Sequence, residues 1–223
     1  MAADGGPLRP APAAAPARPR PAARRTSSGR PPGEVRIIGG QWKRRRLPVA
    51  DRPGLRPTPD RVRETLFNWL GQDLTGWRCV DAFAGSGALG FEAASRGATE
   101  VTLIEQDAAL AAQLNRLKEQ LQAQAVQVRR GDGIAALQAL PPASVDLILL
   151  DPPFDAGLFD AALQAAARAV GSGGFIYLEA PEAWDAARLA PLGLVVHRHL
   201  KAGAVHAHLL RRAGASQPGA AAL

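Results

Sequence analysis

A chain of 223 residues, 47% hydrophobic and 21% charged, has room for one ordinary domain with tails and a sizeable core. No apolar run approaches the ~20 residues of a membrane span, and the single cysteine, Cys79, excludes an intrachain disulfide or a cysteine zinc site. The net charge of +7 is uneven: residues 1–65 carry 15 Lys/Arg against 5 Asp/Glu, and the rest 12 against 15, the pattern of an enzyme body behind a basic, polyanion-binding segment.

Residues 1–33 are Ala, Pro, Arg and Gly without apolar periodicity, which reads as a disordered basic tail. They lack the apolar centre of a secretory signal. Their eight prolines oppose the amphipathic helix of a transit peptide, so a cytoplasmic protein is expected.

Residues 34–53 read as a basic β-hairpin extension, with strands over Val35–Ile38 and Gln41–Leu47 closed by a Gly39-Gly40 turn. Alternation puts Trp42, Arg44 and Arg46 on one face and Lys43 and Arg45 on the other. Four consecutive cations beside an indole suit phosphate contacts and stacking on an unpaired base, although charge protecting an edge strand has the same appearance. Such a ribbon is too short to stand alone and must dock on the body or on a partner.

A helix follows, with Thr58 as N-cap, Pro59 at the first helical position and Asp60 complementing the dipole. Its apolar stripe is Val62, Thr65, Leu66, Trp69 and Leu70, and Arg56, Arg61 and Arg63 cluster near its start.

From Arg78 the pattern alternates strand and helix. Strands are expected over Arg78–Ala82, Glu100–Glu105, Ala125–Arg130, Val145–Leu150 and Phe175–Glu179, then a closing pair, Leu194–Lys201 and Ala204–Arg211, joined at Ala202-Gly203. Helices are expected over Ala88–Arg96, along Leu110, Leu114, Leu117 and Leu121, after Gly133, along Phe159, Leu163, Ala166 and Val170, and near Glu182–Leu189. This order implies an α/β fold with an open, mostly parallel sheet covered on both faces, which binds ligands beyond the carboxyl ends of its strands. The closing pair sets His197 opposite His208 and His199 opposite His206; the four histidines are read as sheet surface and no metal is assigned. Residues 213–223 read as a second disordered tail.

The chemistry converges on the strand ends, where Asp81, Glu105, Asp132 and Asp151 all fall. Gly85-x-Gly87-x-x-Gly90 after the first strand matches a dinucleotide fingerprint, with Glu105 twenty residues beyond Gly85. A nicotinamide oxidoreductase shares that loop. Two features point elsewhere: Asp81 is placed to hold a ligand ammonium, and Asp151-Pro152-Pro153-Phe154 has no use in a dehydrogenase. A carboxylate for an amino group, an acid for ribose hydroxyls and an Asp-Pro-Pro-aromatic tetrad together suggest S-adenosylmethionine. Asp151 and the Pro152 carbonyl can accept from the two N–H groups of a target amine, the prolines stiffen the turn, and Phe154 offers a stacking face to an unstacked base.

From about Val35 to Arg212 the chain resembles the bacterial RsmD family, which methylates the exocyclic N2 of a guanine in small-subunit (16S) ribosomal RNA. The resemblance rests on Arg36-Ile-Ile-Gly-Gly-Gln-Trp42, Gly54-Leu-Arg-Pro-Thr58, Asp60-Arg-Val-Arg-Glu-Thr-Leu-Phe-Asn-Trp-Leu70, Phe83-Ala-Gly-Ser-Gly-Ala-Leu-Gly90 and Asp151-Pro-Pro-Phe154. The last two motifs alone fit any amino-group methyltransferase of this fold, including those acting on DNA or protein. Pro59 stands where the family would have a small hydroxyl residue. The resemblance implies a Rossmann-like, seven-stranded, mostly parallel sheet with an antiparallel last strand, and a methyltransferase domain over residues 54–212. It implies that Asp81 with Phe83, Ala84, Gly85, Ser86 and Gly87 holds the methionine end of S-adenosyl-L-methionine. Glu105, beside Gln106, then takes the ribose, and Asp132 with Gly133 the adenine. Trp42, Lys43, Arg44, Arg45, Arg46, Arg56, Thr58 and Arg61 are the candidate RNA contacts. The expected partner is ribosomal RNA within the small subunit, with no membrane association, and the expected state is a monomer.

Overall fold

The computed structural model describes Met1 and residues 33–50, 58–154 and 157–214. The expectations for both tails fall almost wholly outside these residues, and Arg56 also lies outside them.

Strand β1 (Glu34–Arg36) pairs antiparallel with β2 (Arg46–Pro48), Val35 opposite Leu47. The hairpin therefore exists, but with much shorter strands than expected and without a two-residue turn. Residues 37–45 form a loop instead, and the alternation of Trp42, Arg44 and Arg46 against Lys43 and Arg45 is absent. The cause is docking. The loop trades ladder bonds for bonds to the helix beneath it: Ile38 and Gly39 amides donate to Glu92 at 2.7 and 2.8 Å, and the Gln41 amide donates to the Ser95 carbonyl at 2.8 Å. A Cβ on Gly40 would lie 1.8 Å from that carbonyl oxygen, and one on Gly39 2.4 Å from the Arg96 guanidinium. Gly39-Gly40 thus permits a close approach rather than making a turn. Val35, Ile37, Leu47 and Val49 point inward and join the core of the body.

Helix α1 (Asp60–Trp69) is capped by Pro59, one residue later than expected, with no side-chain cap bond. Thr58 does not cap because its hydroxyl is engaged elsewhere. Arg63, expected in a surface basic cluster, is fully buried; Val62, Leu66 and Phe67 line the same face.

The body follows the expected alternation: β3 (Arg78–Asp81), α2 (Ala88–Ser95), β4 (Glu100–Glu105), α3 (Ala108–Leu121), β5 (Val126–Arg130), α4 (Gly133–Ala139), β6 (Val145–Leu150), α5 (Phe159–Ala169), β7 (Val170–Ala180), α6 (Ala186–Leu189), β8 (Leu194–Ala202) and β9 (Val205–Arg212). The sheet order is β5-β4-β3-β6-β7-β9-β8, with β9 antiparallel to both neighbours and the rest of the pairs parallel. One face packs on α1, α2 and α3 through Cys79, Leu103, Leu147, Leu149 and Tyr177. The other packs on α4, α5 and α6 through Val80, Ile104, Ile148, Leu150 and Leu178. β7 starts earlier than expected, at Val170, because a register shift between Val145 and Leu147 absorbs the Gly-Ser-Gly-Gly stretch before Phe175.

Candidate active site

β3 lies at the middle of the parallel run and delivers Asp81, which is 2% exposed, to its carboxyl end. The Gly90 amide donates to Asp81 Oδ2 at 3.0 Å, whereas Oδ1 is buried with no partner among the described residues. Burial pushes the Asp81 carboxyl up to about 7, against the pull of the Gly90 and Phe83 amides and with a smaller push from the charges of Glu105 and Glu179. A buried, unsatisfied carboxylate oxygen is costly unless a ligand donor meets it.

The loop after β3 is shaped by its glycines. Gly85 and Gly87 have φ of 51° and 79°, and Gly87 is the N-cap of α2. Gly90 lets the helix close on the sheet, since a Cβ there would lie 2.0 Å from Leu103 Cδ2. Ala84 and Ser86 are buried and Phe83 half-buried. Glu105 ties this loop to β4: Oε2 accepts from the Gly85 amide at 2.9 Å and Oε1 from the Asp107 amide at 2.8 Å. Gln106 beside it is exposed. Asp132 caps α4 through the Ala135 amide at 2.7 Å, and a Cβ on Gly133 would lie 2.1 Å from the Ala82 carbonyl oxygen.

Asp151 follows β6 directly. It is half-buried and accepts no hydrogen bond among the described residues, and burial, then Glu179 and Asp81, raise its pKa well above the carboxylate range. Pro152 is buried and Pro153 exposed; Phe154 is 39% exposed, its ring 6.2 Å from that of Phe159. The structure thus brings Asp81, Asp151 and the glycine loop together.

It also adds residues that the sequence reading missed. Glu179, 3% exposed near the end of β7, accepts from Thr58 Oγ1 at 2.5 Å and from the Tyr177 hydroxyl at 2.9 Å. Thr58, expected on the RNA surface, is buried for this reason. The available signal was that a fifth parallel strand also ends on an acid.

The basic residues do not gather at the strand ends. Lys43, Arg44 and Arg45 are exposed and unpaired among the described residues, but their loop sits on Ser95, at the far end of α2 from the glycines. Eight residues of helix put that end about 12 Å from Gly87. Arg46 pairs with Glu34 at 2.7 Å, and Trp42 packs half-buried on the core. Nearer the cleft, at the start of α1, stand exposed Arg61 and Arg36, the latter paired with Asp60 at 2.7 Å.

The histidine register differs by two residues from expectation: the turn lies at Gly203-Ala204, setting His199 opposite His208 and Lys201 opposite His206, with His197 at a bulge. His199, His206 and His208 offer ring nitrogens within 4.8 Å of one another. His208, however, is committed to the main chain: its Nε2 accepts from the Trp184 amide at 3.0 Å and its Nδ1 faces the Leu178 carbonyl at 3.4 Å.

A parallel sheet of this order, closed by an antiparallel strand and carrying an acid, a glycine loop and an Asp-Pro-Pro-Phe turn at its carboxyl edge, defines the methyltransferase class. The family described as Conserved hypothetical protein 95 matches residues 35–211. Ribosomal RNA small subunit methyltransferase D of Escherichia coli strain K12 is 42% identical over 182 residues, covering 81% of this chain and 91% of that relative. The protein of the same name from Haemophilus influenzae is 40% identical over 181 residues, covering 74% and 93%. Among solved structures, a putative methyltransferase from E. coli, yhhF, superposes with a TM-score of 0.70 at 37% identity, covering 81% of this chain and 99% of that one. A putative methylase from H. influenzae does so at 0.66 and 32%, with the same coverage. The chain belongs to this family, the RsmD family of methyltransferases.

Proposed function

We propose that the protein transfers a methyl group from S-adenosylmethionine to the exocyclic N2 of a guanine in small-subunit ribosomal RNA. The observation that carries this reading is Asp151: a half-buried carboxylate without a protein donor among the described residues, at a strand end beside the glycine loop. The relatives' names supply the RNA.

The cleft suits the cofactor. The unpartnered Asp81 Oδ1 would accept from its ammonium and the Phe83–Gly87 backbone would leave room for its methionine end, while Glu105 with Gln106 would take the ribose and Asp132 with Gly133 the adenine. When bound, it supplies an electrophilic methyl on a sulfonium. The target nitrogen is a poor nucleophile, its lone pair delocalised into the ring, so orientation must supply much of the rate. Asp151 and the Pro152 carbonyl accept its two N–H bonds and direct the lone pair. The carboxylate also stabilises positive charge on the nitrogen as its bond to carbon forms. Its raised pKa suits it to take the proton that the nitrogen must then lose. Phe154 stacks on the extruded base. The 34–53 extension, through Lys43, Arg44 and Arg45, holds flanking phosphates of the RNA at a distance from the chemistry.

The same reading takes the protein to work as a cytoplasmic monomer on RNA within the small subunit. No helix among the described residues is long and apolar enough to cross a membrane. Labelled S-adenosylmethionine offered with small-subunit RNA or particles, followed by nucleoside analysis, is the test. N2-methylguanosine is expected; label in another nucleoside, in DNA or in protein would overturn the reading.

A further inference from the structure

One residue before its end, β7 carries an acid, Glu179, for which the chemistry above has no use. Leu178 pairs with Leu150, so Glu179 and Asp151 stand side by side, one residue beyond, at adjacent strand ends about 4.8 Å apart. Alternation sends both toward the face of the sheet that carries Tyr177 and Leu149, as does Asp81, paired with Leu149.

Glu179 is held in one orientation. Oε1 receives two hydroxyls, Thr58 at 2.5 Å and Tyr177 at 2.9 Å. Oε2 has no donor among the described residues, yet it is not walled in, because Asp81 Oδ1 is the one fully buried side-chain nitrogen or oxygen among them without a hydrogen-bond partner. Burial raises the Glu179 pKa, and the Thr58 and Tyr177 hydroxyls, with Arg63, oppose that rise and favour the charged acceptor.

Resting on the guanine reading above, we propose that Glu179 Oε2 accepts the N1–H of the target guanine while Asp151 accepts an N2–H beside it. Of the four RNA bases, only guanine presents a ring N–H next to an amino group. Adenine and cytosine place a ring lone pair beside theirs, which a carboxylate repels, and uracil has no amino group. The Asp-Pro-Pro-Phe turn grips any exocyclic amine; Glu179 makes the site select guanine.

The test is single-turnover methyl transfer to the RNA that the wild-type protein methylates, with the target guanosine kept or replaced by 2-aminopurine. That base keeps the 2-amino group but carries a lone pair at N1. Wild type should prefer guanine by on the order of 10–100-fold. In Glu179→Gln, the amide oxygen should stay under the two hydroxyls, putting the NH2 where Oε2 stood. Guanine then meets donor against donor and 2-aminopurine gains a partner, so the preference should fall to near parity or reverse. Glu179→Asp, which withdraws the acceptor but keeps the charge, should bring the ratio toward one and serves where the Gln variant does not bind cofactor by calorimetry. A wild type indifferent to the replacement, or variants that slow both substrates equally, would overturn the proposal. Failure of the underlying reading looks different: the wild type would put no methyl on the guanine amino group.

Discussion

Arg63 Nη1 donates to Glu92 Oε2 at 3.3 Å, and both side chains are fully buried. Around this pair the extension, α1 and α2 are joined. Arg63 also reaches the Arg36 carbonyl at 2.9 Å, the Thr58 carbonyl at 3.1 Å and Asp60 at 2.6 Å, while Glu92 receives the Ile38 and Gly39 amides and Arg96. Removing one member leaves a buried charge and several main-chain groups without partners. Glu92→Ala should therefore destabilise the protein by about 3–5 kcal/mol in urea unfolding. A loss below about 1 kcal/mol, the range of exposed pairs, would mean that the cluster does not hold the extension.

Gly40→Ala tests the docking itself. With φ of 73° and a Cβ placed 1.8 Å from the Ser95 carbonyl oxygen, the loop must lift or strain, at a cost of about 1–3 kcal/mol. Gly173→Ala, where a Cβ meets nothing within 4 Å, is the matched control and should lie within about 0.5 kcal/mol of wild type. Equal melting temperatures for the two variants would contradict the docked loop.

Lys43, Arg44 and Arg45 should set RNA affinity and leave chemistry alone, because their loop lies at the far end of α2 from the glycines. Replacing all three with alanine removes up to three phosphate contacts, and each contributes about −0.7 to the single-strand salt slope. The log-affinity against log-salt slope should flatten by up to roughly two units. An unchanged slope with slower turnover at saturating RNA would put these residues at the chemistry instead.

Asp81 gives the empty protein a pH dependence. Its folded pKa, about 7, stands above the ordinary 3.8, so its contribution to stability is full below about 4 and is lost as pH rises toward 7. Asp81→Asn should remove that loss, making the variant's melting temperature fall less than wild type's between pH 5 and pH 8. The same substitution should weaken cofactor binding. Wild-type cofactor affinity should rise with pH up to about 7, as the carboxylate ionises, and then level off. Calorimetry across that range checks both; parallel pH profiles for the two proteins would refute the role of Asp81.

How much of this was legible depended on whether the signal was local. The βα alternation from Arg78 onward was readable because each strand is a short apolar run and each helix repeats its apolar residues at helical spacing. The acids Asp81, Glu105, Asp132 and Asp151 stood out because they end those runs. What failed was set by partners remote in sequence. Gly39-Gly40 looks like a turn until Ser95 stands against it. Arg63 looks like one more surface arginine beside Arg61 until Glu92 and the Arg36 carbonyl surround it. Glu179 is an unremarkable strand residue until Thr58, 121 positions away, donates to it. The histidine register slipped because a bulge at His197 and a turn one residue later are not encoded in alternation.

The most direct measurement is on Asp151. With Asp81 and Glu105 intact, Asp151→Ala should bind S-adenosylmethionine within a few fold of wild type by calorimetry. Its single-turnover methyl transfer to RNA should fall on the order of 10²–10³-fold, by analogy with removal of one preorganised oxyanion-hole donor. Asp151→Asn, which keeps an acceptor oxygen and loses the charge, should fall between the two. Near-native single-turnover rates for Asp151→Ala, or a parallel loss of stability and cofactor affinity with the rate per bound cofactor retained, would contradict a role for this carboxylate at the target amino group.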